Sequence, residues 1–577
     1  MMPEEVLRVE NLTVTYRGAA GNSDKATAQN TAAGNTDRTE TGIRNVNFSL
    51  KRGELCGIIG ESGGGKSTLL SAIMGLLQEK HGGGTVGAGS AAEVTGKIIY
   101  NGREIQNAGK AEWKNIRFKE IGLVFQNQDE RLNPALTVGK QITEVLRKEI
   151  TDTKLSEQKL AAVLRSVGLE SSVKNRYPHE LSGGMRQRVF IAMAICLHPP
   201  LLLIDEPTTA LDPVSKQQIL QLLQKIHREY GTAMLIVSHD LEVIERLTDN
   251  LMVLLQGYVI EKGKTKNILE EAKHPYTFAL LQSSTYLNPW KDLWGIKEAE
   301  ERRSCPFYER CTQKSSECLS YTPYLPPDCS EGCACAKNGI QTVLSVRHIA
   351  KTFAAEKERI EAVKDCSLRV RHGEIVALLG KSGSGKTTVL HIIAGLLNKD
   401  AGSIVFENTE IKKNDLLARE HALQIVEQDA FSSMNTALTV REIIAEPSVI
   451  RYRKSAAAFT ETAVKYAKLC GLPADEAMLN KRARELSGGQ RQKTAIARAL
   501  SMQPVLLLAD EINAMLDDSS KVNIMRLLKQ LQYELGFSML LVTHDIDLVK
   551  KVADYVYRME AGCIVEEGSI RKVFGKS

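Results

Sequence analysis

An α/β fold built twice in tandem is predicted by three features of this 577-residue sequence. Short apolar runs of strand length, "LCGIIG" at 55–60 and "IVALLG" at 375–380, end in glycine-rich turns. Each leads into a segment with helical apolar spacing, "STLLSAIMGLL" or "TTVLHIIAGLL". Amphipathic stretches, "QQILQLLQKIHREYG" and "KVNIMRLLKQLQYELG", then close on glycine and run into further buried strands, "AMLIVSHD" and "SMLLVTHD". The third feature is the repeat itself: "LSGGMRQR" at 181 returns as "LSGGQRQK" at 486, and Ser182, Asp205 and His239 are each matched 305 residues later by Ser487, Asp510 and His544. Strand alternating with helix implies a mainly parallel sheet covered by helices.

The repeat sets the domain organisation. Two homologous domains are expected at 1–265 and 341–577, joined by a segment at 266–340. The glycine-loop lysines, Lys66 and Lys386, are 320 residues apart, so the first copy carries 15 extra residues before its signature, supplied by "HGGGTVGAGSAAEVTG". A second insertion at 18–42, rich in Ala, Asn, Thr and Gly, has neither hydrophobic period and reads as a mobile surface loop.

Composition bounds the function. Hydrophobic residues make up 43% and charged residues 25%, as in an ordinary globular protein. The net charge of +6 comes from 75 basic and 69 acidic residues, too mixed a balance to argue for a nucleic-acid partner. The start, "MMPEEVLRVENLTV", is acidic where a signal peptide is basic, and the expectation is a cytoplasmic chain. Apolar runs such as "LLLI" at 201–204 fall far below the roughly 18 to 20 residues that cross a bilayer. If the protein works at a membrane, other subunits span it.

The glycine turns carry the chemistry. "GESGGGKST" at 60–68 and "GKSGSGKTT" at 380–388 both fit G-x-x-x-x-G-K-[ST]. In this pattern Gly60, Ser62, Gly63 and Gly65, and Gly380, Ser382, Gly383 and Gly385, let backbone N–H groups curl round a phosphate, with Thr68 and Thr388 following in the loop. Lys66 or Lys386 reaches the terminal phosphates and Ser67 or Thr387 supplies a Mg²⁺ ligand. The following helix points the positive end of its dipole at the phosphate. The strand-end pairs Asp205-Glu206 and Asp510-Glu511 place two carboxylates beside each loop, the first to hold Mg²⁺ through water and the second to orient or deprotonate the attacking water.

Together with the "LSGG" signatures, these motifs make both halves resemble ATP-binding-cassette nucleotide-binding domains over nearly the whole chain outside the linker. The resemblance implies ATP hydrolysis, a helical subdomain bearing each signature, and two domains that close head to tail. It implies one site from Lys66, Ser67, Gln126, Asp205, Glu206 and His239 with Ser487, Gly488 and Gly489, and another from Lys386, Thr387, Gln428, Asp510, Glu511 and His544 with Ser182, Gly183 and Gly184. Tyr16 and Phe353 fall where the family stacks a ring on adenine, and Gln126 and Gln428 where it senses the γ-phosphate beside Mg²⁺. The departures are Met185 where Gln490 stands in the second copy, "DEINAMLD" in place of "DEPTTALD", and Glu427 before the second glutamine. Both glutamates and both histidines are kept, which implies two hydrolytic sites and leaves open whether they turn over equally.

Which branch of the family is indicated by the linker. "HPYTFALLQS" at 274–283 followed by "CPFYERC" resembles the C-terminal tail of ATPase subunits from oligopeptide, dipeptide and nickel importers, with the two ATPases fused. At the constant offset Ser577 matches Ala272, so one such tail serves both copies. The implied partners are two transmembrane permease subunits and an extracytoplasmic binding protein, with the chain peripheral on the cytoplasmic face. The alternatives are a nickel or metal-chelate importer and a soluble tandem-cassette ATPase acting on ribosomes, whose linker is a charged helical arm instead. Six of the eleven cysteines lie at 305–335. The resemblance points to a [4Fe-4S] cluster on Cys305, Cys311, Cys318 and Cys335, with Cys329 or Cys333 as other choices for the fourth ligand; four thiolates also suit Zn²⁺.

Overall fold

The computed structural model describes residues 5–17, 39–77, 92–125, 132–292, 294–297, 303–354, 359–411, 423–513 and 516–575. They divide into two compact units: 1–281 with 302–306 and 317–339, and 282–301 with 307–316 and 340–577.

In the first unit five parallel strands stand in the order Asn250–Leu255, Leu55–Gly60, Ala233–Val237, Leu201–Asp205 and Ile121–Val124. Their residues are almost all buried, as expected of strands covered on both faces. Tyr258–Lys264 and Gly332–Cys333 extend this sheet antiparallel. A separate antiparallel sheet contains Thr39–Lys51, Glu5–Arg17, Ala92–Tyr100 and Arg103–Glu104. The second unit repeats the parallel order with Tyr555–Glu560, Ile375–Leu379, Ser538–Thr543, Leu506–Asp510 and Gln424–Val426. There the antiparallel strands join the same sheet through one pairing, Asp365 with Cys563.

Each unit carries a helical layer that presents its signature. It comprises Val138–Leu146, Thr153–Ser166 and Gly183–Ile195 in the first, and Val440–Tyr452, Thr460–Leu469 and Gly488–Leu500 in the second. The long helix after each of the strands Leu201–Asp205 and Leu506–Asp510, Pro213–Tyr230 or Asp518–Leu535, begins where Asp212 or Asp517 accepts backbone N–H groups and ends at Gly231 or Gly536 in the left-handed region.

The expected mobile loop at 18–42 needs one correction. Residues 18–38 lie outside the described residues, but Thr39–Gly42 open a strand paired with Glu5–Arg17. Threonine suits a pleated, half-buried surface, and the ladder with Thr15 and Tyr16 fixes these residues whatever their composition. Likewise Ala92–Gly96, the end of the glycine-rich insertion, form a strand; the rest of that insertion lies outside the described residues.

The linker is tied down in pieces. Within the first unit, Leu325 and Ala334 join the core cluster that holds Cys56 and Ile58, Ala334 N–H donates to Ile260 O at 2.7 Å, and Asn47 Nδ2 donates to Leu325 O at 3.2 Å. Within the second, Trp290 packs on the core and Lys291 Nζ meets Asp554 Oδ1 at 2.5 Å, both side chains almost fully buried. Asp554 also accepts Ile375 N–H at 2.7 Å. Burial alone would raise the Asp554 pKa, but Lys291 and Lys529 together hold it below the usual carboxylate range.

The "HPYT" motif has a specific fastening. Glu261, buried in Tyr258–Lys264, accepts the N–H groups of Lys273 at 2.8 Å and His274 at 2.9 Å, just ahead of the helix Pro275–Gln282. His274 Nδ1 accepts Tyr276 N–H at 3.0 Å, and burial lowers its pKa to about 3, so the imidazole is neutral. A carboxylate on two orphan donors at a helix start is a cap supplied by a distant strand.

Candidate nucleotide-hydrolysis centres

Each phosphate loop is folded around its own lysine. Lys66 Nζ donates to Gly60 O at 2.8 Å and Glu61 O at 2.9 Å, and Lys386 Nζ to Gly380 O and Lys381 O, both at 2.9 Å. Gly65 and Gly385 precede their helices at φ of 97° and 103°, where a Cβ would come within 2.4 Å and 2.3 Å of the carbonyl oxygens of Gly42 and Ala362. Only glycine fits there. Ser62, Gly63, Ser382 and Gly383 lie in these loops, ahead of Ser67, Thr68, Thr387 and Thr388 in the first helical turns.

The strand-end carboxylates stand beside the loops. Burial raises the Asp205 pKa, partly offset by a hydrogen bond from Ser67, and burial likewise raises that of Asp510. Asp205 Oδ1 is buried with no hydrogen-bonding partner among the described residues, while Thr387 Oγ1 donates to Asp510 Oδ1 at 3.3 Å. A buried carboxylate with an unspent oxygen beside a hydroxyl is a donor set that suits a hard cation such as Mg²⁺. Burial lowers the Lys66 pKa despite the nearby Glu206 and Asp205.

Glu206 and Glu511 sit one residue past the strands in the left-handed region, at φ of 52° and 38°. Non-glycine residues there hold strain of the kind concentrated at functional sites. A backbone bond pins each, Glu206 N–H to Val237 O and Glu511 N–H to Val542 O, both at 2.9 Å. His239 Nδ1 lies 2.6 Å from Glu206 Oε2, and Thr209 Oγ1 donates to that same oxygen at 3.1 Å. His544 Nδ1 lies 3.3 Å from Glu511 Oε1, with Lys386 Nζ 3.8 Å from Oε1 and Gln428 Nε2 donating to Oε2 at 3.4 Å. The structure thus gathers Lys66, Ser67, Asp205, Glu206 and His239 in one unit, and Lys386, Thr387, Gln428, Asp510, Glu511 and His544 in the other. Gln126 lies outside the described residues.

The remaining expected residues fall nearby or on other elements. Tyr16 OH donates to Thr68 Oγ1 at 3.2 Å, placing its ring against the first loop. Phe353 is exposed, with Lys351 Nζ 5.7 Å from its ring centre. Ser182 and Ser487 are helix N-caps accepting from Met185 N–H and Gln490 N–H at 3.3 Å, with Gly183, Gly184, Gly488 and Gly489 in the first turns. Gln490 Oε1 also accepts Ser487 N–H, a reciprocal cap that Met185 has no oxygen to make.

Sequence reading missed Thr209 and Glu261. A signal for the first existed, since "DEPTTALD" against "DEINAMLD" puts Ala514 at the repeat position of Thr209. Among the described residues no group of three or more His, Cys, Asp or Glu could hold a metal ion, so a cluster or zinc on Cys305, Cys311, Cys318 and Cys335 has no support in the structure. Cys318 is buried and the other linker cysteines are half-buried.

A loop closed on its own lysine, beside a strand-end aspartate and glutamate, defines a phosphate-loop nucleoside triphosphatase, here present twice. The ABC transporter family model matches residues 43–209 and 363–514, and a model of the oligopeptide/dipeptide transporter C-terminal region matches 260–318. The chain is 33% identical over 93% of its length to the oligopeptide transport ATP-binding protein OppD of Mycobacterium bovis, covering 93% of that protein. It is 32% identical over 92% of its length to the glutathione import ATP-binding protein GsiA of Escherichia coli O1:K1 / APEC, covering 84% of that protein. The chain belongs to the ABC transporter family. It is an ABC-type ATPase with two cassettes, homologous to the ATP-binding proteins of oligopeptide and glutathione transport. Among the described residues no helix is long and apolar enough to cross a membrane.

Proposed function

We propose that this chain is the ATP-hydrolysing subunit of an importer for oligopeptides or related small peptides such as glutathione. It would work at the cytoplasmic face of the membrane with two permease subunits and an extracytoplasmic binding protein. The observation that carries this reading is the oligopeptide/dipeptide transporter C-terminal region at 260–318, placed between two cassettes that each retain loop, carboxylates and histidine. Nickel or metal-chelate uptake is the neighbouring alternative. A ribosome-associated tandem ATPase is disfavoured because the linker carries this tail.

In the proposed mechanism the two cassettes pair head to tail, and each ATP lies between the loop of one and the signature of the other. One site combines Lys66, Ser67, Gln126, Asp205, Glu206 and His239 with Ser487 and Gly489; its counterpart combines Lys386, Thr387, Gln428, Asp510, Glu511 and His544 with Ser182 and Gly184. Tyr16 and Phe353 flank adenine. Mg²⁺, when bound with ATP, neutralises phosphate charge, and Ser67 with Asp205, or Thr387 with Asp510, would hold it beside the glutamine. The glutamate carboxylate orients water and takes its proton as the water oxygen bonds to the γ-phosphorus. The bond from that phosphorus to the bridging oxygen breaks, ADP keeps the electron pair, and phosphate leaves. The histidine holds the glutamate in place. An iron–sulfur or zinc centre on the linker cysteines rests on the family resemblance alone; no step is routed through it.

The test is purification of the tagged chain from gently solubilised cells, with peptide uptake measured beside it. Two polytopic membrane proteins should co-purify. The E206Q/E511Q protein should still bind ATP, while hydrolysis falls by about two to four orders of magnitude and uptake stops. Ribosomal proteins without a membrane partner would overturn the importer reading, and undiminished hydrolysis would overturn the glutamate assignment.

A further inference from the structure

We infer that Thr209 is a positioning residue for Glu206, and that its hydroxyl gives the first cassette a hydrolytic centre more highly ordered than that of the second. This inference rests on the assignment of Glu206 as general base. Thr209 Oγ1 and His239 Nδ1 both address Glu206 Oε2, at 3.1 Å and 2.6 Å. With two groups fixed on Oε2, the carboxylate is held in one orientation, from which Oε1 would take the proton of the attacking water.

Glu511 is held differently. His544 and Lys386 address its Oε1, at 3.3 Å and 3.8 Å, and Gln428 addresses its Oε2 at 3.4 Å, so its contacts are longer and divided between both oxygens. Its side chain is also twice as exposed, 17% against 8% for Glu206. Two of those partners, the loop lysine and the glutamine, are assigned to the nucleotide, so ATP binding would draw them off Glu511. At the matching repeat position the sequence has Ala514, and a methyl group donates no hydrogen bond.

A base misaligned by a fraction of an ångström loses rate without losing substrate affinity. The hydroxyl therefore acts on kcat. Thr209 is otherwise exposed, so its replacement leaves the core untouched.

The experiment uses the full chain with E511Q, in which turnover comes from the centre of Glu206. Adding T209V should lower kcat for ATP about tenfold, as expected for losing one hydrogen bond to a charged group, with KM for ATP changed by less than about twofold. T209S, which restores the hydroxyl, should recover most of the lost rate. Equal kcat in T209V and its parent would overturn the inference, as would a loss that T209S does not recover. E206Q added to the same parent separates the two levels: if it fails to lower the rate, the base assignment is wrong, whereas a fall with E206Q but none with T209V removes Thr209 alone.

Discussion

The two cassettes match each other at an offset of 305 residues through strand, glutamate and histidine, yet they differ in what secures those residues. Among the described residues, Glu206 is gripped at one oxygen by His239 and Thr209, while Glu511 meets His544, Gln428 and Lys386 across both of its oxygens. A similar contrast appears at the aspartate just ahead of the strands Asn250–Leu255 and Tyr555–Glu560. Asp249 is exposed, while its repeat partner Asp554 is buried against Lys291 of the linker. A duplicated motif thus preserves chemistry without preserving its support. At this aspartate the second copy, unlike the first, takes a buried ion pair from the linker.

The largest expected effect comes from breaking the buried pair. D554A should cost the second unit about 3 to 5 kcal/mol, because it strands buried ammonium groups beside the Ile375 N–H it also leaves unbonded. D249A should cost well under about 1 kcal/mol, as for a surface site. Chemical denaturation of both variants measures the difference, and similar losses would show that the linker contact is incidental.

Acid should sharpen the contrast at a smaller scale. His274 has a folded pKa near 3 against 6.5 in an unfolded chain, so below pH 6.5 the unfolded state binds the extra proton. The first unit should lose about 1.4 kcal/mol of stability for each pH unit from 6.5 downward until pH nears 3, and nothing from this residue above 6.5. Thermal melts of the whole chain between pH 7.5 and 5 would show it, and H274Q should flatten that slope. An unchanged slope in H274Q would remove His274 as the cause.

Much of this was legible from residues alone. The two α/β domains follow from strand runs ending in G-x-x-x-x-G-K, and the candidate site residues from an offset that keeps Asp205, Glu206 and His239 in step with Asp510, Glu511 and His544. Local motifs are readable because neighbours in sequence do the work. Glu261 was not, since its partners at 273 and 274 reach it only after the strand folds against the tail. Nor was the bond of Lys291 to Asp554, which closes 263 residues of chain. Composition misjudged Thr39–Gly42 because pairing, not propensity, decides an edge of sheet. The exchange of Thr209 for Ala514 was visible as letters, but it acquired a physical meaning only when the hydroxyl was found on Glu206 Oε2.

The most direct measurement is the steady-state ATPase rate of E206Q and E511Q single variants, compared in the assembled transporter. Unequal centres predict that E206Q removes the larger share of turnover and that E511Q retains most of it. Equal losses, or a larger loss in E511Q, would contradict the claim that the first cassette holds the better-ordered base.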